Sequence, residues 1–256
     1  MNGFSSASVL ISTVNENESL KRTVKTILGT CRSQDLAEIF LLVGSRATED
    51  CLAAVKEIQN NTAVPTVVYR QTQPGLGADF SKIFDLMRGS HVVMLSGDGE
   101  LDPAQVCEFI EEAKKTPAEI VVGSRKLGAH GFQGYAPVKR VLNFAAHLFL
   151  KALFHTKRTE LTQPFQIGAV DVFRAIRWEE TLHPICIELN LKPLRLGLRT
   201  REIPTDWKHR VEGSPNRGKL YFFRYLKTAI HIRFMKKSDI IKPGRTIPQA
   251  YFKGTI

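Results

Sequence analysis

The chain has 256 residues, 43% of them apolar, enough for a substantial core in one large domain or two small ones, and not the composition of a disordered chain. No apolar run reaches the length of a membrane-spanning helix, Met1-Asn-Gly-Phe-Ser-Ser6 lacks the basic start of a secretory leader, and Cys31, Cys51, Cys107 and Cys186 show no CxxC spacing, which argues against structural zinc and against a disulfide framework. The net charge of +11 points to anionic partners, namely nucleic acid, an anionic membrane surface or phosphorylated substrates. Basic residues dominate from Lys192 to Lys242, while acidic residues lie mainly in the first half. A cytoplasmic location is the expectation, with peripheral attachment at the cytoplasmic membrane face as its extension.

The first half alternates between short apolar runs and helical spacing. Ser8–Thr13 reads as a strand, Val14–Glu18 as a polar loop and Ser19–Leu28 as a helix. Phe40–Val43 and Val64–Tyr69 read as strands, with a helix over Ala47–Ile58 between them. Gln73-Pro-Gly-Leu-Gly-Ala78 is a glycine-rich loop opening a helix over Asp79–Met87. Gly75 and Gly77 are not a dinucleotide fingerprint, because they follow the third strand and lack the full spacing.

His91–Leu95 has the length and composition of a buried strand. The chain then turns polar through Ser96-Gly-Asp-Gly-Glu100, which sets two carboxylates two residues apart. Asp102-Pro103 follows, with Asp placed as an N-cap and Pro as a first helical residue, and Ala104–Lys114 as the helix. Loops beyond the C-terminal ends of strands are where open α/β sheets bind ligands. Two carboxylates in such a loop suit a hard divalent cation that also holds phosphate oxygens; the alternative is a polar turn without chemistry. Glu119–Arg125 is a fifth strand with a basic end. Alternating strands and helices with short links predict a doubly wound, mainly parallel sheet.

Seven short motifs then fall in one order. Ile11-Ser-Thr-Val-Asn-Glu16, Gly75-Leu-Gly-Ala78, Leu95–Pro103, Val121-Val-Gly-Ser-Arg125, Arg140, Glu160-Leu-Thr-Gln-Pro-Phe-Gln166, and Glu202-Ile-Pro204 with Arg210 and Gly213-Ser214 together resemble the family-two glycosyltransferases. Within that family the chain resembles the dolichyl- or polyprenyl-phosphate sugar synthases and their bacterial cousins. The resemblance implies a GT-A fold over residues 1–216, with residues 217–256 as a basic C-terminal helix and tail. It implies a nucleotide-sugar donor and Mg²⁺ or Mn²⁺. Asp98 and Glu100 would hold the metal, and Ser12, Val14, Asn15, Glu16, Gly75, Gly77, Ser96 and Asp98 would line the donor site. Asp98, Arg125, Arg140 and Glu160 are the catalytic candidates. The chain departs from the family pattern at Ser96, where relatives carry the first Asp of Asp-x-Asp, and at Val43-Gly-Ser-Arg46, where they carry Asp-Asp-Gly-Ser.

A metal stabilises charge on a departing diphosphate without proton transfer. Arg125 and Arg140 would clamp phosphate oxygens. A lipid-phosphate acceptor needs no base, whereas a hydroxyl acceptor would require a carboxylate such as Glu160 or Glu188. His130, His147, His155, His183 and His209 have no spacing that marks a site. Apolar residues recur at helical spacing between Pro137 and Phe154, and between Arg217 and Lys237 they alternate with lysines and arginines. Each stretch reads either as a helix on the protein body or as one lying on anionic lipid. No nucleic-acid motif is present, and no nucleic-acid partner is expected. Ser238–Ile256 reads as an irregular tail. Three functions remain in play: transfer to a polyprenyl phosphate or related lipid, transfer to a glycan hydroxyl in surface-polysaccharide synthesis, and a catalytically impaired binding or scaffold protein.

Overall fold

The computed structural model describes residues 3–130, 137–210, 212 and 221–253. Gly213, Ser214 and residues 217–220 lie outside the described residues. The strands are β1 (Ala7–Thr13), β2 (Leu36–Val43), β3 (Thr66–Arg70), β4 (His91–Ser96), β5 (Ile120–Ser124), β6 (Gln166–Ala169) and β7 (Thr200–Pro204). They form one sheet in the order β3-β2-β1-β4-β6-β5-β7. Every pairing is parallel except those of β6, which runs antiparallel to both β4 and β5. The mainly parallel α/β sheet expected from the sequence is therefore the observed one.

The helices are α1 (Glu18–Thr30), α2 (Glu49–Asn61), α3 (Phe80–Leu86), α4 (Gln105–Lys115), α5 (Pro137–Phe154), α6 (Val170–Ala175), α7 (Ile185–Leu196), α8 (Tyr221–Phe234) and α9 (Lys237–Ile240). Because side chains alternate along a strand, each central strand feeds two cores. Val9, Ile11, Ile39 and Leu41 face a core built with α1, α2 and α4. Leu10, Phe40 and Leu42 face a second core with α3, α6 and α7. A third cluster joins α5, α7 and α8 through Leu150, Ile187, Leu191, Ala229 and Ile232.

Three expectations need correction. First, Cys31 and Cys107 form a disulfide between the end of α1 and α4, with Cα atoms 5.2 Å apart; the fold brings together two residues whose spacing in the chain carries no pairing signal. Second, the expected irregular tail Ser238–Ile256 begins within the short helix α9 and is firmly packed over its described residues. Ile240, Ile247 and Tyr251 are buried in the second core, the Arg177 N–H donates to the Ile240 carbonyl, the Lys242 N–H to that of Ala175 and the Arg199 N–H to that of Tyr251. Third, regular helix α4 begins at Gln105, after a turn in which Asp102 Oδ1 accepts the Ala104 N–H at 3.0 Å.

Candidate active site

The strand order reverses around β1, which lies between β2 and β4. Such a reversal opens a crevice beyond the carboxyl ends of the strands, because the loops on either side turn away from each other. Ser12 and Ser96 are partners in the β1–β4 register, and the Gly97 N–H donates to the Ser12 carbonyl at 2.9 Å. The loop after β1 and the acidic loop after β4 therefore leave the sheet side by side. β5 and β7 end on this same edge, so Arg125 and the segment after Pro204 flank it.

Asp98 is 5% exposed, and its Oδ1 accepts the Glu100 N–H at 3.0 Å, closing the turn at Gly99, whose φ is +72°. Burial and the neighbouring Glu100 charge push the Asp98 carboxyl up to about 6, against the opposing pull of the Glu100 N–H and Arg210. Glu16 adds a smaller upward push, which marks the proximity of the two loops. Glu100 Oε2 accepts the Trp207 indole N–H at 3.0 Å, and its backbone carbonyl accepts from Lys208.

One guanidinium nitrogen joins the two carboxylates. Arg210 Nη2 lies 3.2 Å from Asp98 Oδ2 and 2.8 Å from Glu100 Oε1, and Arg210 Nε donates to the same Glu100 oxygen at 2.9 Å. Two carboxylate oxygens from different residues thus already converge on a point that holds positive charge. That donor set fits a hard divalent cation completing its shell with phosphate and water oxygens. Among the described residues no group of three or more His, Cys, Asp or Glu side chains converges.

The remaining donor-side candidates have more local duties. Glu16 Oε2 accepts from Thr13 Oγ1 and from the Val14 and Asn15 amides, so this buried carboxylate shapes the loop from inside. Val14 is exposed, while Ser12, Asn15 and Ser96 are half-buried at the strand ends. Gly75 and Gly77 answer to packing. A Cβ at either would fall 2.2 Å from the Thr181 carbonyl oxygen or 2.1 Å from that of Glu180.

Glu160, expected as a base for a hydroxyl acceptor, is in the wrong state for that work. It is fully buried and takes two hydrogen bonds from Arg125, at 2.8 and 3.0 Å. His147 Nε2 lies 3.1 Å away, and Thr162 donates through both its amide and its hydroxyl. Burial alone would push its carboxyl up, but Arg125 and His147 outweigh that and hold it well below the usual carboxylate range. Glu188 is also committed, to Lys192 and to the Glu179 and Glu180 amides. Arg125 is turned inward on Glu160, and Arg140 is exposed on the first turn of α5.

Sequence reasoning left three residues out of the site: Trp207, Arg210 and Glu212. Glu212 Oε2 accepts from the Asn17 and Ser19 amides and the Ser19 hydroxyl, capping α1, which has no side-chain cap of its own. Arg210 stands in the Glu202-Ile-Pro204 motif without a role; the signal for its place was charge balance, since two carboxylates two residues apart in one turn call for a cation nearby. His147 was passed over for the opposite reason, because its partner lies 13 positions away in a different element.

Residues 8–178 match the model of Glycosyl transferase family 2. The chain belongs to that family. It is a nucleotide-sugar-dependent glycosyltransferase, and the matched residues run from β1 through α6 of the fold just described. Among solved structures it is similar to glucosyl-3-phosphoglycerate synthase from Mycobacterium tuberculosis in complex with Mn²⁺, uridine diphosphate and phosphoglyceric acid: TM-score 0.68, 15% identity, 91% of this chain and 80% of that chain covered. The same synthase with Mn²⁺ and UDP-glucose gives TM-score 0.68 at 16% identity, covering 90% and 79%. With Mg²⁺ and uridine diphosphate it gives 0.65 at 15%, again covering 90% and 79%. At such identities the likeness establishes a shared fold.

Proposed function

We propose that this family-2 glycosyltransferase moves a sugar from a nucleotide-sugar donor to a lipid phosphate at an anionic membrane surface, a polyprenyl phosphate being the acceptor class. The carrying observation is the convergence of Asp98 and Glu100 on one cationic position at the sheet reversal. Mg²⁺ or Mn²⁺ held there by these two carboxylates would supply charge stabilisation to the departing diphosphate. The fold-mates bound to Mn²⁺ or Mg²⁺ with uridine diphosphate support a uridine diphosphate sugar as the first donor to try.

Around that position this chain's own residues have distinct duties. The Ser12–Glu16 loop, braced from within by Glu16, would take the nucleoside half of the donor, and Ser96 would line the floor beside it. Gly75 and Gly77 would serve by letting the loop after β3 seat against residues 180–181. Arg125, oriented by Glu160, and Arg140 would place positive charge for the acceptor phosphate. Glu160 then acts on the acceptor side as a positioning residue.

Two features favour a lipid phosphate. An ionised phosphate oxygen attacks without a base, in keeping with Glu160 and Glu188 both being committed to buried partners. The acceptor side also adjoins an apolar surface. His147 of α5 contacts Glu160, and the exposed part of α5 carries Leu142, Phe144, Leu148 and Phe149, with Phe223, Ile230 and Phe234 exposed on α8. Exposed Arg224, Lys227, Lys236 and Lys237 lie among them in sequence, the pattern of a helix pair resting on anionic lipid. No helix among the described residues is long and apolar enough to cross a membrane.

The similarity to a synthase bound to phosphoglyceric acid favours a second reading, a small phosphorylated acceptor. The two separate in one assay. Purified protein, Mn²⁺ and a panel of UDP- and GDP-sugars are incubated with polyprenyl phosphate in anionic vesicles or with phosphoglycerate in solution. Formation of a glycolipid, with co-sedimentation of the protein on those vesicles, is the expected result. Transfer to phosphoglycerate alone would select the second reading, and absence of transfer from every donor by a folded protein would count for a binding or scaffold role.

A further inference from the structure

The segment after β7 crosses the acidic loop and is fastened at both ends of its described course. At the near end the Thr205 hydroxyl and the Gln105 side chain are joined by a hydrogen bond of 2.6 Å. In the middle, Leu101 and Trp207 form a backbone bridge, and the Trp207 indole N–H donates to Glu100 Oε2. Arg210 follows, with its guanidinium between the two carboxylates. At the far end Glu212 caps α1, the helix that follows the donor-side loop. Asp98 is buried, and the Arg210 and Glu100 side chains are largely shielded beside it. Removing Arg210 would leave the two carboxylates facing each other in one turn without a counter-charge.

The position of Nη2 has a geometric consequence. Oxygen ligands of Mg²⁺ lie about 2.0–2.1 Å from the ion, so Asp98 and Glu100 would have to hold it that close. Nη2 now lies 3.2 and 2.8 Å from those same oxygens. The two cations claim one space, and their charges repel in a partly desolvated pocket.

We propose that Arg210 is the counter-cation of the acidic loop whenever no metal is bound and exchanges with the divalent metal, so that metal entry expels its guanidinium and shifts the Trp207–Arg210 segment. The inference rests on reading Asp98 and Glu100 as the metal site. It goes further by making metal binding and the closed position of this segment mutually exclusive. Trp207 reports the change because its indole hydrogen bond ends on the carboxylate that the metal would take.

The test is Mn²⁺ binding to the full chain by calorimetry at pH 8, with uridine diphosphate present, beside the intrinsic tryptophan fluorescence. Arg210→Met keeps the apolar stem and removes the competing charge. Charged hydrogen bonds of this kind are strong enough that Mn²⁺ should bind Arg210→Met about tenfold or more tighter than the parent. Arg210→Lys should restore weaker, parent-like binding. In the parent, Mn²⁺ should change the emission, and Trp207→Phe should abolish that change. Equal or weaker Mn²⁺ binding by Arg210→Met, with binding still lost in Asp98→Ala, overturns the exchange and leaves the metal site standing. Binding unaffected by Asp98→Ala overturns both. Thermal melts of each variant separate a loss of binding from a loss of folding.

Discussion

Replacing Asp98 by asparagine should make this protein more stable while removing its capacity for metal. The carboxylate is buried, and its pKa is pushed from 3.8 to about 6 by desolvation and the Glu100 charge. At about 1.4 kcal/mol per pKa unit, that interval corresponds to about 3 kcal/mol held against the folded state at neutral pH. Asparagine keeps the shape and still accepts the Glu100 N–H, but it surrenders the attraction of Arg210, so a net gain of roughly 1–3 kcal/mol is expected. For a chain of this length that is roughly 2–12 °C in Tm. The sign follows from the direction of the shift. The folded state holds this proton more tightly than the unfolded chain. The cost is absent below the unfolded value, grows between about pH 4 and pH 6, and is complete above that. Melting curves of parent and Asp98→Asn from pH 4 to pH 8 should therefore coincide at the acid end and diverge as pH rises. Adding Mn²⁺ and uridine diphosphate should raise the Tm of the parent and leave that of the variant unchanged. An Asp98→Asn protein that melts at or below the parent at pH 7.5, or a gap that does not close in acid, would refute the reasoning.

Other substitutions probe the supports of the site. Glu160→Ala leaves Arg125 and His147 facing a buried space without their carboxylate, and chemical denaturation should register a loss of about 3–5 kcal/mol. Gly77→Ala drives a Cβ against the Glu180 carbonyl, so the variant should lose stability and show weakened nucleotide binding in a calorimetric titration. The Cys31–Cys107 bond closes a loop across 76 positions, and its reduction should cost about 2–4 kcal/mol. Peptide mass spectrometry without reductant should find the linked pair, and a Cys31→Ser variant should melt at the temperature of the reduced parent.

The two-sided cores explain why so much of the fold was legible. Val9 to Ile11 and Ile39 to Leu42 are continuous apolar runs because both faces of those strands are covered. Helices α1, α2 and α5 lie where apolar spacing put them, since each has one face to bury. The short antiparallel strand β6 was missed: Gln166–Ala169 contains a glycine and a polar residue and becomes a strand only between β4 and β5. The stretch after α9 reads as irregular, which it is in backbone terms. Its burial depends on grooves that α6, α7 and the β7 approach create around it.

The acidic loop divides in the same way. Asp98 and Glu100, their place after a buried strand and the helix behind them are properties of contiguous residues, and these follow from local spacing and turn chemistry. The sequence by itself thus determined the parallel sheet, the position of the carboxylates on it and the family they resemble. Only the tertiary structure decided the state of those charges. It set Arg210 between Asp98 and Glu100 from 110 or more positions away, closed Arg125 and His147 on Glu160, and paired Cys31 with Cys107. Electrostatic partnership depends on distance through space and on exclusion of water, and neither quantity is written along the chain.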